Sequence, residues 1–132
     1  MPGIRNLKLV SSSQCISSIL EMDGPRKLTV KTKGEFGVMW ADCEGIYNLS
    51  PKLVNGKAHW LQESGPNAIW SDKYFNNWKI GHASNLGGSK CKMLTNPNSG
   101  RDLPTKAFSW QYYTKNGGWT VSEDIIVFKQ ST

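Results

Sequence analysis

The chain has 132 residues, 38% of them hydrophobic, with a mean hydropathy of −0.47 and a net charge of +6 from 16 Lys and Arg against 10 Asp and Glu. That length fits one domain with a core of its own, and a charged fraction of 20% beside six Trp, four Tyr and four Phe excludes a disordered chain. No run approaches a transmembrane helix in length, and the opening MPGIRNLKLVSSSQC lacks the apolar core of a secretory signal, so the sequence taken literally is cytoplasmic.

Residues 4–10, IRNLKLV, alternate in part as a first strand. The serines that follow cap a short helix from Gln14 to Met22, with Cys15, Ile19 and Met22 on one side, or else continue as a strand. Arg26–Lys33 reads as a strand with Leu28 and Val30 on one face and Lys27, Thr29, Lys31 and Lys33 on the other. Arg26, Lys27, Lys31 and Lys33 form the densest basic group. Such a face suits a nucleic-acid backbone, but more often it is a solvated edge that discourages sheet-to-sheet aggregation. Phe36, Val38 and Trp40 alternate as a further short strand.

Glu44–Gly81 then carries four short β-rich runs, Gly45–Leu49, Ala58–Gln62, Ala68–Ser71 and Trp78–Gly81. They are separated by Pro51 with Asn55-Gly56, by Ser64-Gly65-Pro66-Asn67 and by Asn76-Asn77, the turn chemistry of an antiparallel meander. Residues 82–105 are rich in Gly, Asn, Ser and Pro and read as a long loop with one strand at Lys90–Leu94. Ala107–Thr114 is a strand with Phe108, Trp110 and Tyr112 on one face, Lys115–Gly118 a hairpin turn, and Trp119–Ser122 and Ile125–Lys129 complete the pairing. The fold class is therefore all-β: an antiparallel meander forming a small sandwich or barrel-like sheet, with at most one short N-terminal helix. Residues 1–132 make one domain, in which 1–42 is an N-terminal extension and 43–128 the meander module.

No constellation points to catalysis, a cofactor or a metal. His59 and His82 fall in different segments, and Glu63, Asp72, Asp102, Glu123 and Asp124 show no spacing specific to glycosidase, protease or calcium chemistry. Cys15, Cys43 and Cys91 lack zinc-type spacing and cannot all pair within one chain. Cys43 and Cys91 bracket the meander, so they form a disulfide in an oxidising compartment and remain small buried thiols in a reducing one.

The tryptophans carry the functional expectation. For any single ring a core position is the commoner fate, yet six are many for so small a core. Trp60 and Trp70 are expected to be exposed and to bind ligand together with Tyr74 and Phe75 in the intervening turn. The expected function is a non-enzymatic module that binds a protein or a glycan through exposed aromatics. A structural subunit of a larger assembly is the alternative, and nucleic-acid binding through the basic strand a further one.

Tyr47–Trp60 (YNLSPKLVNGKAHW), Ala68–Trp70, Asn77–Gly81, Trp110–Tyr113 and Asn116–Trp119 together resemble a poorly characterised β module. That module, rich in Trp, Tyr and Asn-Gly turns, is repeated in larger, often extracellular, invertebrate and protist proteins. The resemblance spans Cys43 to Ile126 and implies no catalytic residues. Cys43, just before the first Tyr, fits the extracellular versions. The absent secretory signal and the odd cysteine depart from them.

Overall fold

Asn55 and Gly56 hold φ of 54° and 79°. Two successive left-handed residues make the tight turn whose twist matches that of paired strands, so the chain reverses there in a two-residue hairpin. The computed structural model describes residues 25–32, 40–96, 103–107, 110–114, 118–122 and 125–129. Its strands are β1 (Lys27–Lys31), β2 (Gly45–Val54), β3 (Lys57–Gln62), β4 (Asn67–Ser71), β5 (Trp78–His82), β6 (Met93–Leu94), β7 (Gln111–Tyr113), β8 (Trp119–Val121) and β9 (Ile126–Lys129). Helix among the described residues is limited to short 3-10 turns at Ala41–Cys43, Ala83–Asn85 and Pro104–Lys106.

All nine strands belong to one antiparallel sheet, in the order β9-β1-β2-β3-β4-β5-β6-β7-β8. Laid flat, it would be about 38 Å wide. Yet Val121 ends one edge strand and Ile126 begins the other, and five residue steps span at most about 18 Å. The sheet must therefore curl, and it forms a half-barrel. This is the barrel-like alternative of the two expected from sequence, in a single sheet.

The inner face carries Leu28, Val30, Tyr47, Trp60, Ile69, Trp78, Ile80, Met93 and Val127, all in one buried cluster. Trp60 and Trp78 meet edge to face with centroids 6.0 Å apart, and the Trp60 indole N–H donates to the Pro25 carbonyl at 2.8 Å. The Tyr47 hydroxyl donates to the Cys43 carbonyl at 2.7 Å, and burial pushes its pKa well above the usual phenol value.

Several expected boundaries move. β2 does not stop at Pro51. It runs on to Val54, because the register with β3 shifts between Leu49 and Leu53, and a bulge tolerates a proline that lacks the ladder N–H. Trp40 is not in a strand but in the turn that enters the 3-10 helix Ala41–Cys43. The strand expected at Lys90–Leu94 shortens to Met93–Leu94, and that expected at Ala107–Thr114 to Gln111–Tyr113, with buried Trp110 just before it. The strand at 4–10, the helix at Gln14–Met22, and Lys33, Phe36, Val38, Phe108 and Cys15 lie outside the described residues.

β4 is buried on both faces, which a one-sided meander does not explain. Ile69 pairs with Ile80 inside; the next pair along, Trp70 with Lys79, faces out. The segment 83–92 covers that outer face. The Gly87, Gly88 and Ser89 carbonyls accept in succession from Asn55 Nδ2 (3.1 Å), Trp70 Nε1 (3.1 Å) and Lys79 Nζ (3.2 Å). A Cβ on Gly81 would stand 2.9 Å from the Cys91 Cα and 3.2 Å from the Trp70 ring, so this close approach requires glycine. The glycine-rich stretch that read as an irregular loop is thus a second, outer layer.

His59 sits on this outer side of β3, facing away from core residues Ala58 and Trp60, and is buried; its Nδ1 has no partner among the described residues. Burial lowers the imidazole pKa, opposed in part by a hydrogen bond with the Lys52 backbone. A depressed folded value means that the unfolded chain takes up the proton first. The contribution is therefore complete above the ordinary imidazole value of 6.5 and is lost as pH falls below it. Urea denaturation on either side of that pH is expected to show the drop, and His59→Leu to flatten it. An unchanged profile in the variant would place the titration elsewhere.

Candidate functional site

Antiparallel topology gives the half-barrel two rims. One holds the β2–β3 hairpin tip and the turn 72–77 between β4 and β5; the other holds the start of β2, the β3–β4 turn and the end of β5. The second rim contains a cleft of about 350 Å³. Trp40 and Tyr113 supply its aromatic walls, His82, Ser84 and Asn85 its polar groups, and Lys90 and Lys92 its cations, with Cys91 at the side. Among the described residues that line it there is no carboxylate, and that of Asp42 lies just behind, paired with Lys92 at 2.7 Å.

The walls are fixed before any ligand arrives. The Trp40 indole N–H donates to the Tyr113 carbonyl at 3.1 Å, joining the turn before β2 to β7. Lys92 Nζ donates to Asp42 Oδ2 at 2.7 Å and Asn67 Oδ1 at 2.8 Å, and lies 5.7 Å from the Trp40 ring centroid. Asn67 Nδ2 and Gln62 Nε2 each donate to the Asp42 carbonyl at 2.8 Å. This network ties the Trp40–Asp42 segment to β3, β4 and the covering loop. Beyond the cleft mouth the aromatic wall continues, because exposed Tyr113 packs edge to face on exposed Trp119 at 5.3 Å.

His82 Nδ1 accepts from the Ser84 N–H at 3.1 Å, which leaves Nε2 as the proton-bearing atom. Cys91 shares the cleft with it, but burial pushes that thiol up to about 11, with Asp72 adding to the rise and Lys79 opposing it. Burial thus favours the neutral thiol over the thiolate at Cys91. Among the described residues, no group of three metal-ligating side chains occurs.

The residues singled out from sequence do not converge. Trp60 and Trp70 were expected to be exposed; both have 0% exposure, one in the inner core and one beneath the covering loop. Two packed faces on the same strands, rather than one, absorb Trp60 and Trp70, and the exposed ring is Trp119 instead, with Trp40 partly buried. Tyr74 and Phe75 are exposed, at 82% and 52%, but on the opposite rim from the cleft. There Asp72 Oδ1 accepts from the N–H groups of Tyr74 (2.6 Å) and Phe75 (2.9 Å), fixing the turn.

The basic group is dispersed. Arg26 and Lys27 border a shallow depression with Asn48, Leu49 and Pro51, but Lys27 Nζ is held by Glu63 at 2.9 Å and by Asn48. Lys31 lies 5.9 Å from the Phe128 ring centroid, and β1 is no edge, being flanked by β9 and β2. Of the two states open to Cys43 and Cys91, disulfide or thiol, the structure holds both as free thiols. Cys43 is enclosed in the inner core, whereas Cys91 lies against Gly81 on the outer side. Burial, with Asp42 adding to it, pushes the Cys43 thiol up to about 12.

Tyr113, Trp119, Trp40 and Lys92 escaped the sequence reading of the site. A signal for two of them was present: Tyr113 alternates with Tyr112, so it must point away from the core, and Trp119 lies on its face across the hairpin. Trp40 gave no such signal, because its position depends on a contact with Tyr113, distant in sequence.

Comparison with family models, with curated proteins and with solved structures gives no match to this chain. What the site can do therefore rests on its own geometry.

Proposed function

We propose that this chain is a non-enzymatic binding module that recognises a glycan through its aromatic cleft. The observation that carries the reading is the pre-fixed Trp40–Tyr113 wall facing His82, Ser84 and Asn85 across a cavity of about 350 Å³. That volume lies at the small end of ligand pockets, suited to one or two rings. A flat apolar face opposite hydrogen-bonding side chains fits a sugar ring, which has apolar C–H faces and polar edges. Lys90 favours a sugar carrying a carboxylate or sulfate, whereas Lys92 is already held by Asp42 and Asn67.

Calorimetric titration with neutral and acidic oligosaccharides tests this. Trp40→Ala is expected to weaken binding of the preferred sugar by about tenfold or more, since stacking on one ring contributes about 1–3 kcal/mol. Equal binding by the variant, or no binding of any glycan by the parent, would reject the site.

A structural-subunit role is the second reading, favoured by exposed Trp119 and Val121 on one edge strand and Ile126 and Phe128 on the other. Light scattering that shows a monomer at all concentrations would count against self-assembly. Nucleic-acid binding through β1 receives less support, because Lys27 is already paired with Glu63.

A further inference from the structure

We infer that the rim opposite the cleft is a docking surface for an anionic lipid membrane. Two tips make up this rim, the β2–β3 hairpin at Asn55-Gly56 and the turn 72–77. They are locked together: Asn55 Nδ2 donates to the Ser71 carbonyl at 2.9 Å and Lys57 Nζ to Asn76 Oδ1 at 3.3 Å. Leu53, Tyr74 and Phe75 stand exposed there at 45%, 82% and 52%. Around them are Lys52, Lys57 and Lys73, with Lys73 Nζ 5.8 Å from the Tyr74 ring centroid. The single acidic residue of residues 51–62 and 72–79 is Asp72, and it is buried and paired with Lys79 at 2.6 Å. Among the described residues of these two tips, the rim therefore presents apolar rings and positive charge with no exposed carboxylate.

Three features select a lipid surface over other occupants. The rings project from convex tips, which a fluid interface accepts without a shape-matched groove. Tyr and Phe ringed by Lys is the composition that settles at headgroup depth, where the rings meet acyl chains and the ammonium groups meet phosphate. Finally, the turn is already fixed by Asp72 through the Tyr74 and Phe75 N–H groups, so insertion orders little new backbone.

Sedimentation with vesicles of phosphatidylcholine alone, or mixed with phosphatidylserine, tests the inference on the full chain. The protein is expected to partition onto the phosphatidylserine vesicles and not onto phosphatidylcholine alone. Tyr74→Ala/Phe75→Ala is expected to reduce partitioning by at least about tenfold. Lys73→Ala, which spares both rings, is expected to reduce it by about fivefold. The thermal midpoint of Tyr74→Ala alone, the more exposed ring, serves as the folding control. No partitioning onto either vesicle would overturn the inference, as would partitioning that survives loss of both rings. Equally tight, ring-dependent binding to soluble heparin would overturn it in favour of a polyanion.

Discussion

Lys79→Met is expected to remove about 3–5 kcal/mol of folding stability, a large part of what a small domain has. Lys79 and Asp72 contact each other at 2.6 Å, with side chains only 3% and 4% exposed. The ammonium group also donates to the Ser89 carbonyl, and the remaining oxygen of Asp72 takes two backbone N–H groups. Burial alone would raise the Asp72 carboxyl, but the hydrogen bonds from Lys79, Phe75 and Tyr74 and the charge of Lys79 hold it below its ordinary value. Its contribution in the parent chain is thus present above the ordinary carboxylate pKa and lost as pH falls through the lower folded value. Methionine keeps most of the volume and removes the charge, so the buried carboxylate loses its ion pair and keeps only the two turn N–H groups.

The pH dependence should then weaken. Without the hydrogen bond and charge of Lys79 the folded carboxyl rises from its lowered value, so less stability is lost as pH falls below 3.8. The stability gap between parent and Lys79→Met is therefore expected to narrow in acid. Asp72→Asn/Lys79→Met should recover much of the loss at neutral pH, since an amide oxygen still accepts from the turn. Denaturant titrations of the parent and both variants would check this. A loss below about 1 kcal/mol would mean that the pair is solvated and that the covering loop is not closed over it.

The second large effect belongs to Trp70→Ala, at about 3–5 kcal/mol. The ring fills the space between β4 and the covering loop, and its N–H is the middle of three side-chain bonds to consecutive loop carbonyls. Trp60→Ala should cost a similar amount, but by opening the inner core. The two differ in their effect on the cleft. Ser84, Asn85, Lys90, Cys91 and Lys92 all lie on the loop that Trp70 supports. Trp70→Ala should therefore weaken ligand binding and expose the 83–92 amides to hydrogen exchange while the inner strands stay protected. Trp60→Ala should lower the thermal midpoint without that selective exchange.

Much of the fold was legible in local chemistry. Asn55-Gly56 announces its hairpin, and the alternation of Leu28 with Val30 or Trp78 with Ile80 announces an inward face. The second layer was not legible, because Trp70 and Lys79 look like ordinary outward residues of a two-sided sheet. Their burial depends on Gly81, Gly87 and Gly88 letting a non-repeating loop approach, and no periodicity encodes that. The same long-range dependence hid the cleft. Its walls come from Trp40, His82 with the following loop, and Tyr113, brought together by curling of the sheet. Exposure of Tyr74 and Phe75 could be inferred from a turn between strands, whereas exposure of Trp60 and Trp70 could not be decided from composition.

The indole N–H resonances report most directly on where a ligand sits. In a titration of labelled protein with the oligosaccharide that binds best, the Trp40 indole signal is expected to shift in proportion to occupancy. The signals of Trp60 and Trp70, fully buried and bonded to the Pro25 and Gly88 carbonyls, are expected to stay in place. Shifts confined to Trp60 or Trp70, or saturation of binding with the Trp40 signal unmoved, would contradict a ligand site in the Trp40–Tyr113 cleft.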